Sequence, residues 1–311
     1  MVEVRGPKQD GRLLVITLSN IGDLVMTTPV FEALSRQYPD YPIDCLADAR
    51  SCELLASAPY IGELFIRDKR AGWSAQFELV KRLRGRRYVL IVDLRTPLIP
   101  YLLRAERRLI KLRTAVPGIH AVEEHFEVVR SVLPSGTEIP PCRLHLAESA
   151  RVRAEELLSA LPGKSWLAVA PGANWPGKKW PNRHYRELLQ MAATAFDGAV
   201  ILGSADDQPD SRSLKDLDLP VCNLVGVTDL PTACAAIARA MAFVGNDSGL
   251  GHMAAALSIP TVTVFGSGRP ERYRPWGLSA HVVLAPGRRL DQLLPAQVFE
   301  SLRTLALSTE A

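Results

Sequence analysis

The sequence predicts an α/β protein built from two doubly wound parallel sheets. Short β-branched runs alternate with amphipathic helical patterns along the chain, which is typical of βαβ units. Two such series occur, one on each side of the proline-containing region 140–164. In addition, three strand-to-helix corners combine glycine with acidic or lysine side chains, which favours ligand loops at the carboxyl ends of parallel strands.

In the first series, strands are predicted at 13–18, 42–46, 64–66 and 89–92, and helices at 29–37 and 74–83. In the second series, strands are predicted at 166–170, 199–202, 221–224, 242–244, 261–265 and 282–284, and helices at 183–195, 230–240 and 249–257. A charged helical pattern at 147–161 is interpreted as part of the inter-domain connection. We therefore predict domains 1–146 and 147–311, with a final helix, 295–307, that packs on either domain.

The composition predicts a cytoplasmic globular protein. The chain has 311 residues, of which 47% are hydrophobic and 23% are charged. The first residues are polar and lack the apolar core of a signal peptide, and no apolar run approaches the roughly 18 residues that span a bilayer. The five cysteines are scattered, without a CxxC or a Cys/His cluster. This pattern fits a reducing compartment and disfavours a structural zinc site.

Basic residues are concentrated in the stretch 67–113, although the net charge is only +4. Two interpretations stay open at this point. The stretch is either a solvated helix face or a surface for an anionic partner, such as acidic lipid headgroups or a phosphorylated glycan. Nucleic acid is disfavoured as a partner because aromatic residues are sparse in these segments and no recognition motif occurs.

The segment 244–257, VGNDSGLGHMAAAL, is the most informative of the three corners. An apolar run ends there and an Ala-rich helix begins, with Asp247 and Ser248 suited to the N-cap and Gly249 leaving the backbone accessible. A helix start offers unpaired N–H groups and about half a positive charge to an anion. Related corners occur at 21–29 and 171–181. Together they predict a site for a phosphorylated ligand, and the alternative for this corner is a plain N-cap.

Three motifs occur in order: IGDLVMTTPVFEAL at 21–34, PGANWPGKKWPNRHYREL at 171–188 and NDSGLGHMAAALSIPTVTVFG at 246–266. With them, the chain resembles the ADP-heptose:lipopolysaccharide heptosyltransferase family, glycosyltransferase family 9. The resemblance implies the GT-B fold, in which two Rossmann-like domains face each other across a cleft. A dinucleotide site is disfavoured independently, because no GxGxxG follows the first strand.

The resemblance implies a catalytic role for Asp23, as the base that deprotonates the acceptor hydroxyl. A carboxylate in a closing cleft suits this task. The alternative is that Asp23 only stabilises a helix N-terminus through the dipole. Gly22, beside it, lets the backbone approach the ligand closely.

Donor binding is implied for the remaining motif residues: Gly22, Asn174, Lys178, Asp247, Ser248, Gly249, Leu250 and His252. Lys178 would neutralise the diphosphate leaving group, while Lys179 is left as a surface residue. Asp247 would accept hydrogen bonds from sugar hydroxyls. His252 either donates a hydrogen bond to phosphate or is a core histidine whose hydrogen bonds are made within the protein.

Weaker donor candidates lie elsewhere in the second series. Asp207 is a candidate for the ribose. Thr228 and Asp229 are either ligand contacts or only an N-cap. Trp180 is interpreted as a packing residue.

The function implied is an inverting, metal-independent glycosyltransferase that moves heptose from ADP-heptose to an inner-core lipopolysaccharide acceptor. No cofactor is expected, and a peripheral contact with the inner face of the inner membrane fits the basic stretch. Two alternatives remain open. One is a family 9 transferase with another acceptor or nucleotide sugar, and the other is a non-catalytic nucleotide-sugar-binding protein.

Overall fold

The computed structural model describes residues 11–68, 70–95, 98–111 and 117–307. The chain divides into two compact units, Met1–Pro141 and Cys142–Ala311. In the described part of the first unit the elements are β1 (Gly11–Ile16), α1 (Ile21–Val25), α2 (Thr28–Gln37), β2 (Ile43–Asp48), β3 (Ile61–Arg67), α3 (Trp73–Arg84), β4 (Arg87–Asp93), α4 (Ile99–Leu102), β5 (Ala105–Ile110) and α5 (Ala121–Glu127).

The second unit continues with α6 (Glu148–Leu158), β6 (Trp166–Ala170), α7 (Asn182–Ala192), β7 (Gly198–Ile201), α8 (Gln208–Ser211), β8 (Val221–Asn223), α9 (Leu230–Ile237), β9 (Ala242–Asn246), α10 (Gly249–Ala256), β10 (Thr261–Phe265), α11 (Pro270–Tyr273), β11 (Ala280–Leu284) and α12 (Pro295–Leu307).

Each unit contains one parallel sheet, so the predicted fold class is confirmed. Within the described residues, the first sheet has the strand order β3-β2-β1-β4-β5 and the second has β11-β10-β9-β6-β7-β8. All described strand pairs are parallel. In both sheets the chain first moves outward in one direction and then returns to continue on the other side of its first strand, which defines a doubly wound sheet.

The central strands are apolar runs because helices cover both faces of the sheets. The strands β6, β9 and β10 are buried along their whole length. In the first unit, the core includes Leu14 and Ile16 of β1 with Leu83 of α3. Each of the ten predicted strand segments overlaps an observed strand, which this hydrophobic pattern explains.

The strand β5 was not predicted from the sequence. Its segment, AERRLI, falls within the basic stretch, for which a helix face was one interpretation. Within the described residues it is an edge strand with β4 as its one partner, so the helix-face interpretation is wrong for these residues. Charged side chains are common on edge strands, since they discourage pairing with another chain.

The helices at the ends of the second unit both pack within that unit. The charged helix α6, interpreted as a connection, packs against α9. The final helix α12 packs against α7 and β10, with Val298 and Leu302 in the core of the second unit. The structure therefore places the final helix on the second sheet. The predicted boundary at 146/147 stays a prediction.

Candidate functional site

The switch point of the second sheet lies between β6 and β9, where the chain departs on opposite sides. In doubly wound sheets, ligands bind at the carboxyl ends of the strands beside this point. Two loops leave these ends, 171–181 after β6 and the short turn at Asp247 and Ser248 after β9. They are two of the three corners that the sequence singled out.

An ion pair joins these two loops. The Nζ atom of Lys178 lies 2.6 Å from Oδ2 of Asp247, with the lysine side chain 33% exposed and the aspartate side chain 9% exposed. A Cβ atom on Gly268, in the loop after β10, would approach Asp247 Oδ2 to 2.5 Å, so the backbone closes tightly on this carboxylate. Asp247 is not the N-cap residue of α10, because Ser248 occupies that position. Its carboxylate holds the ammonium of Lys178 instead.

Asn246, the last residue of β9, connects the same two loops through hydrogen bonds of its side chain. Its Oδ1 accepts hydrogen bonds from the backbone N–H of Trp180 at 2.9 Å and from the hydroxyl of Tyr185 at 3.0 Å, and its Nδ2 donates to the carbonyl of Pro171 at 2.6 Å. The side chain is fully buried. Asn246 thus ties β9 to both ends of the lysine loop, a role that the sequence analysis missed. The signal was an amide residue at the end of an apolar strand.

The helix α10 begins directly after Ser248. Ser248 occupies the N-cap position, but its side chain makes no capping bond, and its Oγ is buried without a hydrogen-bond partner among the described residues. The first turn contains Gly249 and Leu250, so the amide groups predicted to hold phosphate lie at the helix start. His252 lies in the same helix and is buried. That His252 donates a hydrogen bond to a phosphate oxygen stays a prediction.

Other polar residues of the loop 171–181 have different environments. Asn174 is exposed in the loop. Lys179 forms an ion pair of 2.5 Å with Asp210, which also accepts a hydrogen bond from Asn182. The two adjacent lysines therefore have separate partners, and Lys178 alone is held by the turn after β9.

Trp180 packs as predicted. Its ring is buried, and its Nε1 donates a hydrogen bond of 3.0 Å to the carbonyl of Leu293. The ring packs edge to face against that of Tyr185, with the two ring centroids 4.8 Å apart. The ring centroid of His184 lies 5.5 Å from that of Trp180. Burial lowers the pKa of His184, and the charge of Arg183 lowers it further.

Two of the weaker donor candidates, Asp207 and Asp229, are engaged in local structure. Oδ2 of Asp207 accepts from the backbone N–H and the hydroxyl of Ser204, at 2.9 and 2.7 Å, in a capping box. Asp229 caps α9 by accepting from the N–H of Thr232 at 2.8 Å. The N-cap interpretation of Asp229 is thus the one with observed contacts.

In the first unit, Asp23 lies at the corresponding switch point. It occupies the first turn of α1, just after β1, and β1 lies next to β4 in the sheet. Its Oδ2 accepts a hydrogen bond of 2.8 Å from Nδ2 of Asn20, and the side chain is half-buried beside Gly22. A carboxylate that is oriented but still accessible has the geometry a general base needs.

Two arginines lie at the carboxyl edge of the first sheet, after β3 and β4, which are separated in the sheet by β2 and β1. Arg67 ends β3, and its Nε is buried without a hydrogen-bond partner among the described residues. Arg95 follows β4, where its backbone N–H donates to Asp93 at 2.7 Å. Burial lowers the pKa of Arg95, and the charge of Arg67 lowers it further. The carboxylates of Asp48 and Asp93 act in the opposite direction on this pKa. Guanidinium groups at this edge would suit an anionic ligand. Arg95 was not among the site residues predicted from the sequence.

Two other kinds of feature are absent from the residues that the structure describes. They contain no group of three or more His, Cys, Asp or Glu side chains arranged to hold a metal ion. No helix among them is long and apolar enough to cross a bilayer. The expectation of a metal-independent reaction stays a prediction.

The chain is similar to known glycosyltransferases over most of its length. The family model for glycosyltransferase family 9 (heptosyltransferase) matches residues 101–293, more than half of the chain. The lipooligosaccharide heptosyltransferase 2 of Haemophilus influenzae is 28% identical over 304 residues, covering 87% of this chain and 88% of the relative. The lipopolysaccharide heptosyltransferase 2 of Escherichia coli is 27% identical over 350 aligned positions, covering 96% of this chain and all of the relative.

A solved structure agrees with these relatives. The ADP-heptose lipopolysaccharide heptosyltransferase II of E. coli superimposes with a TM-score of 0.83 at 26% identity, covering 96% of this chain and 100% of that one. The similarity therefore extends over both units of the chain.

Proposed function

The chain belongs to glycosyltransferase family 9 and is a glycosyltransferase, and we propose that it transfers heptose from ADP-heptose to an inner-core lipopolysaccharide acceptor. The names of the relatives support the sugar and the class of acceptor, and the similar E. coli structure, an ADP-heptose enzyme by name, supports the ADP-linked donor. In this proposal the reaction takes place at the cytoplasmic face of the inner membrane, where such an acceptor would be anchored.

Asp23 is the proposed general base. Its carboxylate takes the proton of the acceptor hydroxyl as that oxygen attacks the anomeric carbon of the heptose. The bond from this carbon to the ADP oxygen breaks on the opposite face, so the configuration inverts. The hydrogen bond from Asn20 supports this role, because it orients one carboxylate oxygen and leaves the other for the substrate.

The donor diphosphate is proposed to bind at the carboxyl ends of β6 and β9. The observation that carries this assignment is the ammonium of Lys178, fixed 2.6 Å from Asp247 beside the start of α10. The ammonium and the amide groups of Ser248, Gly249 and Leu250 supply positive potential where the leaving ADP gains charge. When the diphosphate takes Lys178, Asp247 accepts from sugar hydroxyls instead. Asn174, exposed in the same loop, donates to a phosphate oxygen.

The acceptor is proposed to bind in the first unit. Arg67 and Arg95 lie at the same edge of the sheet as Asp23, and they would pair with a carboxylate or phosphate of the inner core. Such a pairing would offset the repulsion between the two guanidinium groups. It would also bring a neighbouring sugar hydroxyl toward Asp23.

The test is a titration of the purified protein with ADP, UDP and GDP, without metal, in the wild type and in Lys178→Ala. We expect ADP to bind most tightly of the three nucleotides, and Lys178→Ala to bind ADP more weakly than the wild type does. Lys179→Ala is the matched control, since its ammonium pairs with Asp210 instead. A preference for UDP or GDP would overturn the donor. Transfer of heptose to deheptosylated core oligosaccharide then tests the acceptor separately.

A further inference from the structure

Exposed apolar side chains are concentrated on two helices of the first unit. Trp73 and Phe77 of α3 are 93% and 68% exposed. Leu98, just before α4, and Tyr101 and Leu102 within it are each more than half exposed. The helices α3 and α4 pack against each other, and the region that carries these five exposed side chains is called here the α3–α4 face. An exposed cluster of this kind marks an interaction site more often than scattered single residues do.

The positions on α3 show which way its exposed side chains point. Trp73, Phe77 and Arg84 recur with helical spacing and so share one stripe, beside the buried ridge of Leu79 and Leu83. On the opposite flank, Arg82 reaches β3, where it donates to Glu63 at 2.8 Å. The stripe therefore lies on the flank away from β3.

The stripe ends at Arg84, which lines a cavity of about 400 Å³ at the amino ends of β4 and β5. The cavity is lined by Arg84, Gly85, Arg86, Arg87, Tyr88, Arg104, Ala105 and Glu106. This edge of the sheet is opposite to the edge that holds Asp23, because parallel strands begin at one edge and end at the other.

The charge of this cavity is positive. Arg86 is paired with Glu63 at 2.6 Å, and Arg87 lies 3.9 Å from Glu106. Among the described residues, the side chains of Arg84 and Arg104 have neither an ion-pair nor a hydrogen-bond partner. The basic stretch 67–113 is thus divided by the fold, with Arg67 at the carboxyl edge and these two arginines at the amino edge. Lys69 and Arg113 lie outside the described residues.

We infer that the α3–α4 face docks on a bilayer rich in anionic lipid, with its aromatic and leucine side chains at the headgroup boundary and lipid phosphate bound by Arg84 and Arg104. Amphipathic aromatic rings are favoured at this boundary, and nearby arginines are attracted by the negative surface potential. A bilayer suits the face better than a protein groove does, because the apolar side chains protrude and the unpaired charges lie beside them with one sign.

Docking through this face has a consequence for the proposed acceptor. The helix α3 begins just past the carboxyl end of β3 and runs to the amino edge, so the α3–α4 face extends along one side of the sheet up to the edge of Asp23. A membrane on this side would present the sugars of an anchored acceptor to that edge. The inference thus adds a lipid partner to the proposed reaction, but vesicle binding can be measured without that reaction.

The test is co-sedimentation of the full chain with vesicles of phosphatidylcholine, with and without phosphatidylglycerol, and with no lipopolysaccharide present. Trp73→Ser/Phe77→Ser is expected to bind the anionic vesicles about tenfold more weakly. Arg84→Ser/Arg104→Ser is expected to lose about fivefold per arginine on anionic vesicles, and to match the wild type on neutral vesicles. All four side chains are exposed, so the thermal unfolding midpoint should not change.

The matched controls are exposed residues of the second unit, Val152→Ser/Leu278→Ser for the apolar pair and Arg151→Ser/Arg239→Ser for the arginines. Both should bind like the wild type. The inference is overturned if the wild type does not prefer anionic vesicles, or if the α3–α4 variants bind as well as the controls. It is also overturned if the wild type is a dimer in ultracentrifugation that Trp73→Ser/Phe77→Ser dissociates, since the face would then bind a second copy.

Transfer to a delipidated, water-soluble acceptor separates docking from the proposed function. The α3–α4 variants should retain this reaction at the wild-type rate. If the wild type itself lacks the reaction while its vesicle binding depends on the face, the proposed function fails and the docking surface stands.

Discussion

The two units share one strand order around their switch points but differ in the charges placed there. In the second unit three polar side chains at the switch point already have partners: Lys178 is paired with Asp247, and Asn246 bonds to three neighbouring groups. In the first unit Asp23 has a single hydrogen bond from Asn20, and Nε of Arg67 has no partner among the described residues. The comparison suggests a donor edge that is organised before binding and an acceptor edge that a charged substrate completes.

The largest expected effect is on turnover in the first unit. Asp23→Asn keeps the size and the hydrogen bond of the side chain but removes its basicity, so kcat/KM should fall by about 10³-fold. The measurement is the rate of ADP release in the presence of acceptor. Asp68→Asn, an exposed carboxylate of the same unit, is the control and should react normally. A fall of less than tenfold in Asp23→Asn would leave the helix-dipole explanation of this residue.

In the second unit, Lys178→Ala should lower kcat/KM by about 10²-fold, because the leaving ADP loses a fixed positive charge. In this variant the carboxylate of Asp247 also has no ammonium partner, so its negative charge repels the diphosphate. Lys179→Ala removes the adjacent charge and should have a small effect. Equal losses in the two variants would show that the ion pair with Asp247 does not select one lysine for the reaction.

Asn246→Ala tests whether the donor edge is organised in advance. The substitution leaves the N–H of Trp180 and the hydroxyl of Tyr185 buried without their shared acceptor, which should destabilise the protein by about 2 kcal/mol. Denaturant unfolding measures this loss. Asn174→Ala, an exposed amide of the same loop, should unfold like the wild type. An unchanged midpoint in Asn246→Ala would remove the claim that this side chain holds the loop.

A smaller effect is expected from His184 as the pH falls. Its pKa in the folded protein is lowered by burial, so the unfolded chain, with an ordinary value near 6.5, takes up the proton first. The contribution to stability is full above about pH 6.5 and is lost as the pH falls through the folded value. The thermal midpoint of His184→Gln should therefore fall less than that of the wild type between pH 7 and pH 5. The exposed His281→Gln should follow the wild type, and parallel curves for all three would refute the assignment.

The sequence predicts what hydrophobic pattern and helix-start chemistry determine. The apolar runs of β6, β9 and β10 and the glycine-rich corner before α10 are of this kind. It could not predict β5, because an edge strand tolerates the polar segment AERRLI that resembles a solvated surface.

Contacts between residues far apart in the chain could not be predicted from the sequence either. Asn246 and the N–H of Trp180 are 66 positions apart, and only the order of the strands brings them together. The same holds for Lys178 and Asp247. Each was proposed as a ligand contact, but their mutual pairing was not foreseen. The presence of Arg67 and Arg95 at one edge likewise depends on the parallel arrangement of β3 and β4 in the first sheet.

The most direct test of the contrast between the two units is calorimetric titration of ADP, without metal, into Asp23→Asn and Lys178→Ala. If the second unit holds the nucleotide and the first supplies the base, Asp23→Asn binds ADP like the wild type, and Lys178→Ala binds it about tenfold or more weakly. Equal weakening in the two variants would contradict the account, because Asp23 would then belong to the nucleotide site and not to the acceptor edge.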